Sequence, residues 1–134
     1  MVSTIPYALV VDDDALIQMF ATDILEDAGF RCYFVDDGDS ALSLLETNAA
    51  EIILLFSDVE MPGVFDGFAL ARHVEKHWPH IEIVVASGRV SPGIGDMPSK
   101  ATFISKPFSA GTVLARLQEF LPEGKKPGPL KKAV

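Results

Sequence analysis

At 134 residues, with 49% hydrophobic and 22% charged side chains, the chain suits one domain and is too short for two ordinary ones. A core of this size buries about two-thirds of the unfolded surface without help from zinc, and the single cysteine, Cys32, excludes an internal disulfide framework. The net charge of −8 argues against direct nucleic-acid binding, because an acidic surface repels phosphate backbones.

Along the chain, short apolar runs alternate with helix-length amphipathic stretches. Tyr7–Val11 reads as a first strand and stops abruptly at Asp12-Asp13-Asp14. The stretch Asp14–Ala28 follows, with Leu16, Met19, Phe20, Ile24 and Ala28 largely on one helical face, Asp14 as a candidate cap and Gly29 as its stop. Arg31–Val35 is the second strand, and its apolar surroundings mark Cys32 as a packing residue in a reducing compartment. Gly38–Asn48 reads as a helix capped by Asp39 or Ser40. Ile52–Phe56 is wholly apolar, as expected for a strand covered on both faces of a parallel sheet. Asp66–Trp78 is the next helix, ended by Pro79, and Ile81–Ala86 the fourth strand. Pro92, Gly93, Gly95 and Pro98 make a full helix over Gly88–Lys100 improbable, so a loop with at most one helical turn is expected there. Thr102–Ile104 and Ser109–Leu121, the latter capped by Ser109, complete the pattern.

Beyond residue 121 the composition changes. Residues 1–121 carry seven Lys/Arg and eighteen Asp/Glu, whereas residues 122–134 carry four lysines and one glutamate among three prolines and two glycines. We therefore expect an ordered domain over 1–121 and a disordered basic tail over 122–134. No apolar stretch approaches the ~20 residues of a membrane span. The amino-terminal residues lack a basic targeting region, so a cytoplasmic location is expected.

Alternating βα units of these lengths predict an α/β fold, a doubly wound parallel sheet with helices on both faces. Chemistry in such sheets sits beyond the carboxyl ends of the strands. There the chain places Asp12-Asp13 after the first strand, Asp58 after the third, Ser87-Gly88 after the fourth and Ser105-Lys106-Pro107-Phe108 after the fifth. Singly, each is an ordinary cap, turn or surface residue; jointly they describe a site. Two carboxylates ~4 Å apart repel by about 4 kcal/mol at an effective dielectric near 20, so a converging cluster calls for a cation. Oxygen-only donors favour a hard ion such as Mg²⁺. Lys106 and Ser87 would meet phosphoryl oxygens, which leaves Asp58 as a nucleophile toward phosphorus.

These pieces resemble the receiver domains of two-component response regulators over about residues 5–121. The matching residues are Leu9 to Asp14, Ser57-Asp58-Val59-Glu60-Met61-Pro62-Gly63 with Asp66-Gly67, Ala86-Ser87-Gly88, and Lys106-Pro107-Phe108. The resemblance implies a flavodoxin-like, CheY-like sheet of five strands in the order 2-1-3-4-5. It also implies that Asp58 is the phosphoacceptor, with Mg²⁺ held by Asp12, Asp13, Asp58 and the backbone carbonyl of Glu60. Ser87 would be the switch hydroxyl and Lys106 the phosphate-contacting amine. Phe103 would be a switch aromatic, and the bond before Pro107 would be cis. The donor would be a phosphohistidine on a sensor histidine kinase or histidine phosphotransfer protein. The domain would be a signalling device rather than an enzyme with turnover, acting through an unknown downstream protein.

Three departures qualify this picture. The loop between Pro62 and Asp66-Gly67 is one residue longer than the family's common pattern. Only 18 residues separate Ser87 from Lys106, so the family's fourth helix is expected to be shortened or absent. No effector region follows within the sequence. Glu60 and Arg89 flank the site with opposite charges and are expected to pair and modulate the lifetime of the phosphoryl group. Two other readings compete: a degenerate receiver used as an interaction module independent of phosphorylation, and a phosphatase of the haloacid dehalogenase type. The second fits poorly, because that family carries its nucleophile on the first strand.

Overall fold

The computed structural model describes residues 5–61, 66–88, 92–93, 96–98 and 100–132, with residues 131 and 132 by backbone alone. Five parallel strands, β1 (Tyr7–Val11), β2 (Arg31–Val35), β3 (Ile52–Asp58), β4 (Glu82–Ser87) and β5 (Thr102–Ser105), form one sheet in the order β2-β1-β3-β4-β5. Helices α1 (Ala15–Asp27), α2 (Gly38–Asn48), α3 (Gly67–His77) and α4 (Ala110–Phe120) link and flank the strands, and a short α5 (Gly128–Lys132) ends the chain. Among the described residues no helix is long and apolar enough to cross a membrane.

Strand alternation sends side chains to two cores. Ala8, Val10, Leu54, Phe56, Val84, Ala86 and Ile104 meet Ile24 and Leu25 of α1 and Val113 and Leu117 of α4. Leu9, Val11, Leu55, Ile83 and Val85 meet Ala41 and Leu45 of α2 and Leu70, Ala71 and Val74 of α3 on the other face. Both faces of the central strands are thus covered, which is why β3 is continuously apolar instead of alternating.

Four helices begin at side-chain caps. Asp14 accepts from the amides of Leu16 and Ile17, Asp66 from Ala69 and Ser109 from Thr112. The cap of α2 is Asp37, which accepts from the Ser40 amide at 2.8 Å, rather than Asp39 or Ser40 as expected. An extended backbone at Asp37 leaves its carboxylate free to turn back toward the first-turn amides. Among the described residues no helix lies between β4 and β5, in line with the prolines and glycines there.

Residues 122–132 are ordered against the domain, where a disordered segment is expected. Glu123–Lys125 form a turn of 3₁₀-helix, α5 follows, and Leu130 is 2% exposed within the α1/α4 core. The strap lies against Gly29, whose φ is 107°; a Cβ there would stand 2.6 Å from Pro127 Cβ. Lys125 pairs with Glu82 at 2.6 Å and also donates to the His80 carbonyl, while Gln118 donates to the carbonyl of Leu130. The prolines that suggested a loose end stiffen a segment for which one leucine finds an apolar slot. At that amino-terminal rim of the sheet, Ile5, Pro6, Lys126 and Gly128 help to line a cleft of about 500 Å³.

Candidate functional site

The opposite, carboxyl rim gathers the acidic residues. Asp12 follows β1 directly; its amide donates to the Val35 carbonyl at 3.2 Å and its Oδ1 accepts from the Asp14 amide at 2.9 Å. Gln18 Nε2, reaching up from α1, donates to the carbonyls of Asp12 and Val35 and to Asp36 Oδ1 at 3.0 to 3.1 Å. Its amide ties the loops after β1 and β2 together, a role that the helical pattern alone did not mark.

Asp58 ends β3, which runs two residues beyond its expected end, and pairs in register with Ala86 of β4. Its Oδ1 accepts from the Val59 amide at 2.9 Å and from Lys106 Nζ at 2.8 Å. The same amine donates to Asp12 Oδ2 at 3.0 Å. The Lys106 amide donates to the Ser87 carbonyl at 2.9 Å, and the Lys106–Pro107 bond is cis. Asp13 stands exposed at the mouth, and one carboxylate oxygen from each of Asp12, Asp13 and Asp58 lies within 4.8 Å of the other two. With Glu60 they line a cleft of about 340 Å³.

One amine faces three carboxylates. Burial raises the pKa of Asp58 above the ordinary carboxylate value; the Lys106 bond opposes that rise and the Asp12 charge adds to it. Burial likewise works against the charge on Lys106, but its bonds to Asp58 and Asp12 outweigh it and hold that pKa above the usual amine value. The excess of negative charge, with carboxylate oxygens as the candidate ligand atoms, suits a hard divalent cation that keeps part of its water shell. The cluster could therefore hold a metal.

Ser87 ends β4, is 3% exposed, and its hydroxyl donates to Glu60 Oε2 at 2.7 Å. The expected pairing of Glu60 with Arg89 falls on a residue outside the described ones, as do residues 62–65; the Glu60 carboxylate accepts from the Ser87 hydroxyl. Phe103 is half-buried on β5, opposite Val85, and its carbonyl accepts from Arg116 at 3.2 Å. Gly67, which follows Asp66 in the resembling motif, packs so closely that a Cβ there would lie 2.0 Å from the Asp58 carbonyl oxygen.

The model for the response regulator receiver domain matches residues 8–118, most of the chain. The chain belongs to the response regulator receiver domain family. It is 28% identical over 116 residues to the response regulator receiver protein CpdR of Brucella abortus (strain 2308), covering 84% of this chain and 94% of that one. The sensor kinase CckA of the same organism is 29% identical over 116 residues, covering 84% of this chain but 12% of the kinase. Among solved structures, the chemotaxis protein CheY4 of Vibrio cholerae aligns with a TM-score of 0.74 at 28% identity, covering 88% of this chain and all of that one. The receiver domain therefore matches the full span of some relatives and a small module of others. Its sheet order is that of the CheY-like fold. The dehalogenase reading is set aside by this membership.

Proposed function

We propose that this receiver domain accepts a phosphoryl group on Asp58 from a phosphohistidine and thereby switches a protein-interaction surface. The observation that carries the reading is the bridge from Lys106 Nζ to Asp58 at 2.8 Å and Asp12 at 3.0 Å, beside Asp13, at the rim where an open α/β sheet does its chemistry.

In the reaction, an Asp58 carboxylate oxygen forms a bond to phosphorus as the phosphorus–nitrogen bond to the donor imidazole breaks; the imidazole keeps the electron pair and takes a proton from solvent. Hydrolysis later returns the carboxylate, with water as nucleophile. Asp12, Asp13, Asp58 and the carbonyl of Glu60 would hold Mg²⁺, which when bound would offset the negative charge on the phosphoryl oxygens in the transition state. Lys106 supplies a second positive charge. Ser87 supplies a hydroxyl donor at the carboxyl end of β4, and its shift toward the phosphoryl group would reposition the following loop and admit Phe103 inward. A strong preference for the phosphorylated arrangement, about 5.5 kcal/mol for a swing from 1:99 to 99:1, is the sum these contacts must reach.

The donor is a sensor histidine kinase or a histidine phosphotransfer protein, and the downstream partner is a second protein. In support, an apolar hollow of about 340 Å³ lined by Ile17, Phe20, Lys106, Pro107 and Phe108 adjoins the site. Leu16, 77% exposed, and Met19, 61% exposed, extend that apolar surface along α1. A cytoplasmic location accords with a cytosolic phosphodonor.

Incubation with acetyl phosphate and Mg²⁺, followed by intact-mass measurement, tests the reading. Wild type should gain one phosphoryl mass and Asp58→Asn none. Equal labelling of the two proteins, or none of wild type by either acetyl phosphate or a phosphorylated kinase, would overturn it; in the second case the interaction-module alternative stands.

A further inference from the structure

The hydroxyl assigned to the switch is already engaged. Ser87, 3% exposed, donates its proton to the half-buried Glu60 Oε2 at 2.7 Å. A serine hydroxyl has one proton to give. A phosphoryl oxygen on Asp58 would need that same proton, so two anionic acceptors compete for one donor.

The backbone that carries Glu60 is firmly held. The amide of Val59 donates to the Ala86 carbonyl at 3.2 Å, and the carbonyl of Val59 accepts from the Gly67 amide at 2.9 Å. Glu60 therefore projects from a segment tied to both β4 and the start of α3, and its carboxylate reaches across to the end of β4 at a fixed place. A bond from a hydroxyl to an ionised carboxylate is among the stronger kinds.

We infer that Glu60 is a latch on Ser87: in the unphosphorylated protein its carboxylate holds the hydroxyl that the phosphoryl group must capture. The inference rests on the phosphoacceptor reading of Asp58 for its consequence, but the latch itself belongs to the unphosphorylated protein. Phosphorylation releases it in two ways. The phosphoryl oxygens offer the hydroxyl a more highly charged acceptor, and the added negative charge two residues away repels the Glu60 carboxylate. Glu60 is thus a positioning residue, acting through Ser87 and setting how much donor free energy is needed to throw the switch. This differs from a charge that merely screens water or donor at the mouth, because its effect must vanish when the hydroxyl is gone.

Two measurements on the full chain decide the matter, using Glu60→Ala, Glu60→Gln, Ser87→Ala and the double variant Glu60→Ala/Ser87→Ala. The first is equilibrium unfolding in urea, without Mg²⁺ or phosphodonor. The latch requires the two alanine substitutions to be non-additive, by about tenfold in the unfolding equilibrium constant, or about 1.4 kcal/mol. Additive effects overturn it whatever happens at Asp58. The second is the steady-state ratio of phosphorylated to unphosphorylated protein with acetyl phosphate and saturating Mg²⁺. Glu60→Ala should raise that ratio about tenfold, and Glu60→Gln, which keeps a neutral acceptor, by less. In the Ser87→Ala background, Glu60→Ala should change nothing. A Glu60→Ala effect of equal size with and without Ser87 overturns the latch. Failure of wild type to be labelled at all would overturn the phosphoacceptor reading, and the unfolding cycle would still decide the latch.

Discussion

A Cβ placed on Gly67 would lie 2.0 Å from the carbonyl oxygen of Asp58, so the first residue of α3 rests directly on the backbone of the proposed phosphoacceptor. The Gly67 amide also donates to the Val59 carbonyl at 2.9 Å. Helix and strand end can approach this closely only without a side chain at that position. Gly67→Ala must therefore push α3 away from β3. The expected outcome is a loss of about 3 kcal/mol in urea unfolding, in the range of overpacked sites, together with impaired labelling of Asp58. A variant with wild-type stability and labelling would show that the rim tolerates such a shift.

Magnesium should stabilise the folded chain, because a ligand that binds only the native state adds stability by mass action. At tenfold excess over its dissociation constant the gain is about 1.4 kcal/mol. Asp13→Asn, which alters the exposed member of the carboxylate cluster, should remove most of that gain in a thermal-shift measurement. An equal Mg²⁺-dependent rise in both proteins would exclude Asp13 as a ligand.

Lys106 compensates two buried carboxylates at once, with Asp12 and Asp58 side chains 6% and 5% exposed. Removing one member of such a group leaves uncompensated charge, so Lys106→Ala should cost about 3 kcal/mol in EDTA. Divalent cation should restore part of the loss, since it supplies the missing positive charge. Urea midpoints with and without Mg²⁺ measure both effects.

The raised pKa of Asp58 fixes the sign of a pH dependence. Burial is the main cause, opposed by the Lys106 bond and reinforced by the Asp12 charge. A carboxyl with a raised folded pKa contributes stability that is complete below its unfolded value, about 3.9, and is lost as pH climbs through the folded value. In EDTA, the stability of wild type relative to Asp58→Asn should therefore fall as pH rises from about 4 to 7. Urea midpoints across that interval give the slope, and a flat or rising difference would contradict the assignment.

Leu130 should anchor the strap. It is 2% exposed in the α1/α4 core, so Leu130→Ala is expected to cost about 3 kcal/mol by cavity formation. A disordered tail would give no change.

Much of this was legible in the chain because each rim residue follows an apolar run that could only be a buried strand. Asp12, Asp58, Ser87 and Lys106 fell at strand ends, and parallel topology then brought them to one edge. Contacts that depend on side-chain direction were less accessible. Nothing in the spacing of Glu60 and Ser87 shows that a carboxylate on one loop reaches a hydroxyl on the next strand. The fate of the tail was hidden for a different reason. Its composition describes the segment in isolation, whereas its order depends on a slot near Gly29 that exists only after α1 and α4 have packed. The cap of α2 is Asp37 rather than the expected Asp39 or Ser40 because the extended backbone at Asp37 turns its carboxylate toward the first-turn amides.

The cleft shared by Pro6 and Gly128 at the amino-terminal rim brings the two ends of the described chain to one pole, with the carboxylates at the other. A fluorophore or surface tether fixed near either end would thus report on or immobilise the molecule without obstructing an incoming donor. Joining the ends by a short flexible linker, and opening the chain at an exposed turn, should yield a circular permutant whose carboxylate rim is intact.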